Sequence, residues 1–168
     1  MYDIYQNDCQ DKWRYTLGKA GTKPLLVIGL NPSTATQEKA DTTVAKVEKV
    51  AINNKYDGFI MLNLYPIRAT DYRKLSAKVN ATAFANNLDA IEAAVKAQTK
   101  PEIWAGWGTS IDYHPYFSEA RDQLFARLEK CSAKWLHFGP LTIAGHPRHP
   151  SRLSYGWKFS AFEPYPKC

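Results

Sequence analysis

Three short stretches carry the residues whose types and spacing could do chemistry. The first is Gly29-Leu30-Asn31-Pro32, which closes an apolar run and leads into Ser33-Thr34. A turn there needs only the glycine and the proline. The asparagine between them is a further polar group on a stiff turn. It could orient a water through its amide oxygen, or cap the turn through an Asx-type bond. The second is Asn63, which ends the apolar run Gly-Phe-Ile-Met-Leu-Asn-Leu (58–64). A carboxamide at the end of a buried strand requires partners. Its acceptor and two donors suit the imide edge of a pyrimidine, and they equally suit a tie between two loops. Arg68, a few residues on, could meet a phosphate or lie on the surface. The third stretch is His146-Pro-Arg-His-Pro-Ser-Arg-Leu-Ser154. It sets His149 beside Arg148 and Arg152, with Ser151 and Ser154 supplying hydroxyls. That mixture favours an anionic ligand over a plain solvated proline-rich loop. His146 and His149 lack a third ligand at suitable spacing, so no metal is expected, and no cofactor.

These stretches follow strands. Four apolar runs read as buried strands: 25–30, 58–64, 102–108 and 135–139. Between them lie three helical patterns, at 41–54, 80–98 and 115–131, the last opening on Pro115. Strands alternating with helices imply βαβ crossovers. The expected fold is a three-layer α/β/α domain spanning 1–168, with a four-stranded, mainly parallel sheet. Residues 12–23 could add an edge strand or hairpin, and the tail from Tyr155 to Cys168, with Pro164 and Pro166, reads as extended. Ligands of such sheets bind outside the carboxyl ends of the strands. The segments after all four runs are polar, aromatic or rich in glycine, which is the pattern of a shared site. Trp107-Gly108 ends the third run; Trp104 and Trp107 could stack on a base or fill the core.

The chain of 168 residues suits one domain with a sizeable core. No apolar run approaches the roughly 20 residues of a membrane span, and the polar, mixed-charge start MYDIYQNDCQ does not read as a signal peptide. Cys9, Cys131 and Cys168 lie far apart without CxxC spacing, which argues against a zinc ribbon and for reduced thiols in a cytoplasmic protein. The net charge of +6 favours polyanionic partners, DNA among them, and a monomer with no membrane partner is expected.

Four segments, in order, resemble those of the uracil-DNA glycosylase superfamily: GLNP (29–32), GFIMLNLYPIRA (58–69), WG (107–108) and HPSRLS (149–154). The first resembles the Gly-x-Asn-Pro form of the mismatch-specific uracil/thymine enzymes. The chain also resembles a bacterial and phage family, domain of unknown function sixteen-forty-three. The pattern there is Leu-Asn-Pro-Ser, Asn-Leu with Arg-Ala-Thr, Trp-Gly, and Pro-Arg-His-Pro.

The glycosylase resemblance implies a uracil-DNA-glycosylase-like fold. Asn31 would then position the water and Asn63 read the base. His149 would donate a hydrogen bond to the departing base. Ser151 and Ser154 would contact phosphates, with Arg148 and Arg152 adding charge, and Leu153 would fill the gap left by a flipped nucleotide. Two departures matter. The uracil-specific enzymes carry an aspartate where Asn31 stands and a tyrosine where Ser33 stands. With Ser33, the base pocket could admit a 5-substituted pyrimidine. Three readings follow: base excision from DNA, a non-catalytic nucleic-acid-binding module, or an enzyme acting on a free nucleotide or nucleoside. Neither GxxxxGK[ST] nor GxGxxG occurs.

Overall fold

The computed structural model describes residues 1–165. Pro166 and Cys168 lie outside the described residues. Seven strands form one sheet: β1 (Ile4–Asn7), β2 (Arg14–Lys19), β3 (Pro24–Gly29), β4 (Gly58–Asn63), β5 (Glu102–Ala105), β6 (Lys134–Phe138) and β7 (Phe159–Ala161). Three helices cover it: α1 (Thr42–Asn53), α2 (Ala81–Lys96) and α3 (Pro115–Leu128). The strand order is β1-β2-β4-β3-β5-β6-β7.

The four expected strands are the centre of this sheet. β4, β3, β5 and β6 pair parallel, with Gly29 opposite Asn63 and Ile28 opposite Ala105. The expectation of a four-stranded sheet is corrected to seven. β2 joins β4 antiparallel, β1 joins β2, and β7 joins β6. β1 and β7 are short edge segments whose apolar pattern is weak, while β2 is a six-residue strand between β1 and β4. Residues 12–23 contribute β2, and the tail expected to be merely extended contributes β7.

Every residue of β3 and β4 is buried, as continuous apolar runs covered on both faces require. Alternation along β3 divides the core. Leu26 and Ile28 pack with Leu88, Ile91 and Val95 of α2 and Phe117, Leu124 and Leu128 of α3. Leu25 and Val27 pack with Val44, Val47 and Val50 of α1. Helix starts are locally fixed. Asp41 Oδ1 accepts from the Val44 amide at 2.9 Å, Asn80 Oδ1 accepts from the Ala83 amide at 3.0 Å, and Pro115 opens α3.

The order of the centre sets the site. The chain leaves β3 through α1 to reach β4 on one side. It then returns over β3 through α2 to β5 on the other side. The connections after β3 and β5 therefore diverge, and a crevice opens at that switch point. Among the described residues no helix is long and apolar enough to cross a membrane.

Candidate functional site: a cleft at the strand ends

A cleft of about 990 Å³ lies at the carboxyl ends of β3, β4, β5 and β6. That is the size of a small-molecule site. Asn31, Ser33, Asn63, Trp107, Arg148, His149, Ser151 and Arg152 all line it. The four segments separated in sequence thus share one wall-and-floor arrangement.

Asn63 forms the floor. It is 1% exposed, and neither its Oδ1 nor its Nδ2 has a partner among the described residues. Its backbone carbonyl is held by the Asn87 Nδ2 of α2 at 2.7 Å, which fixes the strand end beneath the side chain. An unpaired buried polar group costs about 1–3 kcal/mol, so a folded chain keeps one only where something else requires it.

His149 stands across from it. Its Nδ1 accepts from the Ser151 amide at 3.2 Å and lies 2.7 Å from Ser151 Oγ. An accepting Nδ1 puts the proton of the neutral ring on Nε2. Burial lowers the imidazole pKa to about 4; Asp41 opposes that shift and Arg152 adds to it. The ring is therefore neutral near pH 7, with Nε2–H as its donor. Lys46 Nζ donates to the Ser151 carbonyl at 2.6 Å and pins the loop to α1.

Gly29 lies between the two side chains. A Cβ there would stand 2.7 Å from Met61 Cε, 2.9 Å from Asn63 Oδ1 and 3.8 Å from His149 Nε2. The carboxamide and the imidazole donor so converge on one patch of bare backbone. Gly108 has the matching role behind the histidine. Its φ is +72°, its amide donates to the Pro147 carbonyl at 3.0 Å, and a Cβ would come within 3.0 Å of His149 Cβ.

Asn31 does not cap its own turn in Asx fashion. Its Nδ2 donates to the Ala69 carbonyl at 2.9 Å and the Pro32 carbonyl at 3.1 Å, with the Ile67 carbonyl at 3.5 Å. The tie between loops expected as an alternative for Asn63 is made here instead. It sets the amide orientation, and among the described residues no donor meets Oδ1.

The remaining residues have the following surroundings. Arg68 turns inward: it donates to the Ser33 carbonyl at 2.7 Å, the Ala35 carbonyl at 2.8 Å, the Tyr5 hydroxyl and Asp11 Oδ1 at 3.0 Å. It braces the loop after β3 rather than facing a phosphate. Leu153 packs against the core on the α1 side, because its strand-end loop folds back there. The apolar side chain at the rim is Ile143, fully exposed on a turn closed by the Gly145 amide and Thr142 carbonyl at 2.9 Å. Trp107 is core as well as lining, packed against Phe125 and Phe162. Arg148 donates to the Pro140 carbonyl at 2.9 Å and lies over the Trp157 ring. Arg152 is exposed and Ser154 Oγ accepts from the Gly156 amide at 3.3 Å. His146 pairs with Asp112 at 2.8 Å, not with His149. Among the described residues no cluster of three potential metal ligands occurs.

Sequence reading missed Arg14 and Asp41, which also line the cleft. The one available signal was an arginine at the head of an otherwise apolar strand, Arg-Tyr-Thr-Leu.

Fold and site define an α/β protein with a polar pocket at the switch point of its sheet, lined by three arginines and one aspartate. Residues 14–151 match the family described as protein of unknown function, DUF1643, and the chain belongs to that family. The matched span runs from the head of β2 to Ser151 and so contains both the floor and His149. No curated protein and no solved structure matches the chain.

Proposed function

We propose that the cleft recognises a pyrimidine base and cleaves its N-glycosidic bond, within DNA, on a uracil-DNA-glycosylase-like fold. The observation that carries the reading is the convergence of an unpartnered Asn63 carboxamide and the His149 Nε2–H on the bare backbone of Gly29. A flat base edge that needs both donors and an acceptor fits that patch.

The chemistry follows from the charges that develop. As the bond breaks, the sugar becomes cationic and the base anionic. His149, neutral at pH 7, donates a hydrogen bond to the base carbonyl oxygen as charge builds, in the manner of an oxyanion hole. Asn63 holds the imide edge. Asn31 Oδ1 accepts from a water aimed at the sugar carbon; the water's oxygen bonds to that carbon and its proton leaves to solvent. An amide is a weak base, so this step is slow compared with one run by a carboxylate. Ser33 leaves room for a 5-substituent. Arg148 and Arg152 supply the salt-dependent attraction to phosphates. The exposed Ile143 at the rim would fill the gap left by a flipped nucleotide, the role the resemblance gives to Leu153.

The test is base release from single- and double-stranded oligonucleotides carrying uracil, G·T or G·U mismatches, or 5-substituted pyrimidines. Alkali-labile scission at the modified base, lost in Asn63→Leu and His149→Ala, supports the reading. Salt-sensitive DNA binding without release from any substrate replaces it with a binding module.

A further inference from the structure

We infer that Arg14 forms an anion subsite at the β2 end of the cleft, taking a phosphoryl or carboxylate group carried by the small moiety that enters. Arg14 is 2% exposed and lines the cleft beside Asn31, Ser33 and Asp41. Its Nη1 donates to the Ala35 carbonyl at 3.1 Å, and among the described residues its Nε has no partner and no ion pair is made to it. Arg68 donates to the same carbonyl, but Arg68 has Asp11 as its counter-charge. Asp41 favours the charged form of Arg14 from a distance but makes no ion pair with it among the described residues. Its two oxygens accept from the amides of Val44 at 2.9 Å and Ala35 at 3.2 Å.

Two guanidinium groups thus meet at one carbonyl, and only one is neutralised. A buried cation without an anion is strongly unfavourable. For Arg14 no paired anion is present among the described residues: burial and the neighbouring Arg68 lower its pKa to about 10, with Asp41, Tyr5 and Asp11 opposing the shift, so it stays charged at pH 7. A planar guanidinium with free donors is the group that grips phosphate or carboxylate in two-point fashion.

Position separates this subsite from the rim. Arg148 and Arg152 stand on the segment after β6, at the opposite end of the sheet from β2. A polymer backbone crossing the rim meets those two. A group at Arg14 belongs to the ligand inside. The inference rests on the base-recognition reading only for its choice of nucleoside probes.

The experiment uses the full chain and its Arg14→Gln, Arg14→Lys and Arg148→Gln/Arg152→Gln variants. Melting is followed with and without inorganic phosphate. Uridine is titrated against uridine 5′-monophosphate, and uracil against orotate. Phosphate is expected to raise the melting temperature of wild type and of the rim double variant, less in Arg14→Lys, and not in Arg14→Gln. At least one anionic probe should bind about tenfold more tightly than its neutral parent, with that difference lost in Arg14→Gln. Which probe gains tells a sugar phosphate from a base carboxylate. A phosphate shift that persists in Arg14→Gln, vanishes in the rim variant, or is absent from wild type overturns the subsite. Should Arg14→Gln not fold, unchanged phosphate affinity in Arg14→Lys overturns it. Phosphate held through Arg14 with no gain from a nucleoside keeps the subsite and removes the base. Uridine bound with no gain for uridine 5′-monophosphate and no phosphate shift through Arg14 does the reverse.

Discussion

Asn63→Leu separates a residue kept for stability from one kept for a ligand. Leucine has nearly the shape of asparagine without its polar atoms. In the folded chain the Asn63 Oδ1 and Nδ2 are both buried and lack protein partners, while its backbone carbonyl is held independently by Asn87. Removing the carboxamide relieves an unmet desolvation cost of about 1–3 kcal/mol per group and adds apolar contact with Met61 and its surroundings. Some of that gain is offset by imperfect fit against Gly29, where Asn63 Oδ1 lies 2.9 Å from the place of a Cβ. A net gain of about 2 kcal/mol remains, which for a domain of this size raises the melting temperature by about 4–8 °C. The assay is thermal and urea unfolding followed by circular dichroism, alongside base release or nucleoside binding. Greater stability with lost function identifies a residue maintained against stability by its ligand. A loss of 1 kcal/mol or more would refute the reasoning, because it would mean that the carboxamide is satisfied in the free protein.

Four further outcomes are expected. His149 is held near 4 against an ordinary 6.5, so below pH 6.5 the unfolded chain takes a proton that the folded chain refuses. Stability should therefore be full above pH 6.5 and fall by on the order of 3 kcal/mol as pH drops to about 4; urea midpoints at pH 7.5 and 4.5 should show a smaller loss in His149→Gln, and equal losses would exclude burial of the neutral ring. Asn31→Asp should destabilise by about 1–3 kcal/mol and not accelerate base release, since it sets a carboxylate oxygen against the Ala69 and Pro32 carbonyls; a faster, stable variant would show that the loop tie is dispensable. Arg68→Gln should cost about 2–4 kcal/mol in unfolding measurements through its lost bonds to Ser33, Ala35 and Asp11. Arg152→Gln should change stability by less than about 0.5 kcal/mol while weakening DNA binding and flattening its salt dependence.

The four central strands and three helices were legible in the sequence because their signal is local. A run such as Leu-Leu-Val-Ile is apolar at every position only if both faces are covered, and the spacing of Leu88, Ile91 and Val95 is that of one helix face. The shared site was legible for the same reason: parallel strands all end on one side, so Asn31, Asn63, Trp107 and His149 had to gather there. The family resemblance was legible in the order of those motifs. What stayed hidden was every question of partnership. Asn31 and Asn63 are the same residue type near neighbouring strand ends, yet the Nδ2 of one is held by backbone carbonyls and the carboxamide of the other has no partner among the described residues. Arg68 and Leu153 carry the right chemistry for DNA and turn inward, while Ile143 and Arg14 take places at the rim and floor. The edge strands β1 and β7 stayed hidden, being too short to carry a pattern, whereas residues 12–23 already showed the strand that became β2. Periodicity fixes which face of an element is apolar. Whether a polar side chain on that element finds a partner depends on loops distant in sequence, and only the folded chain brings those within hydrogen-bonding distance.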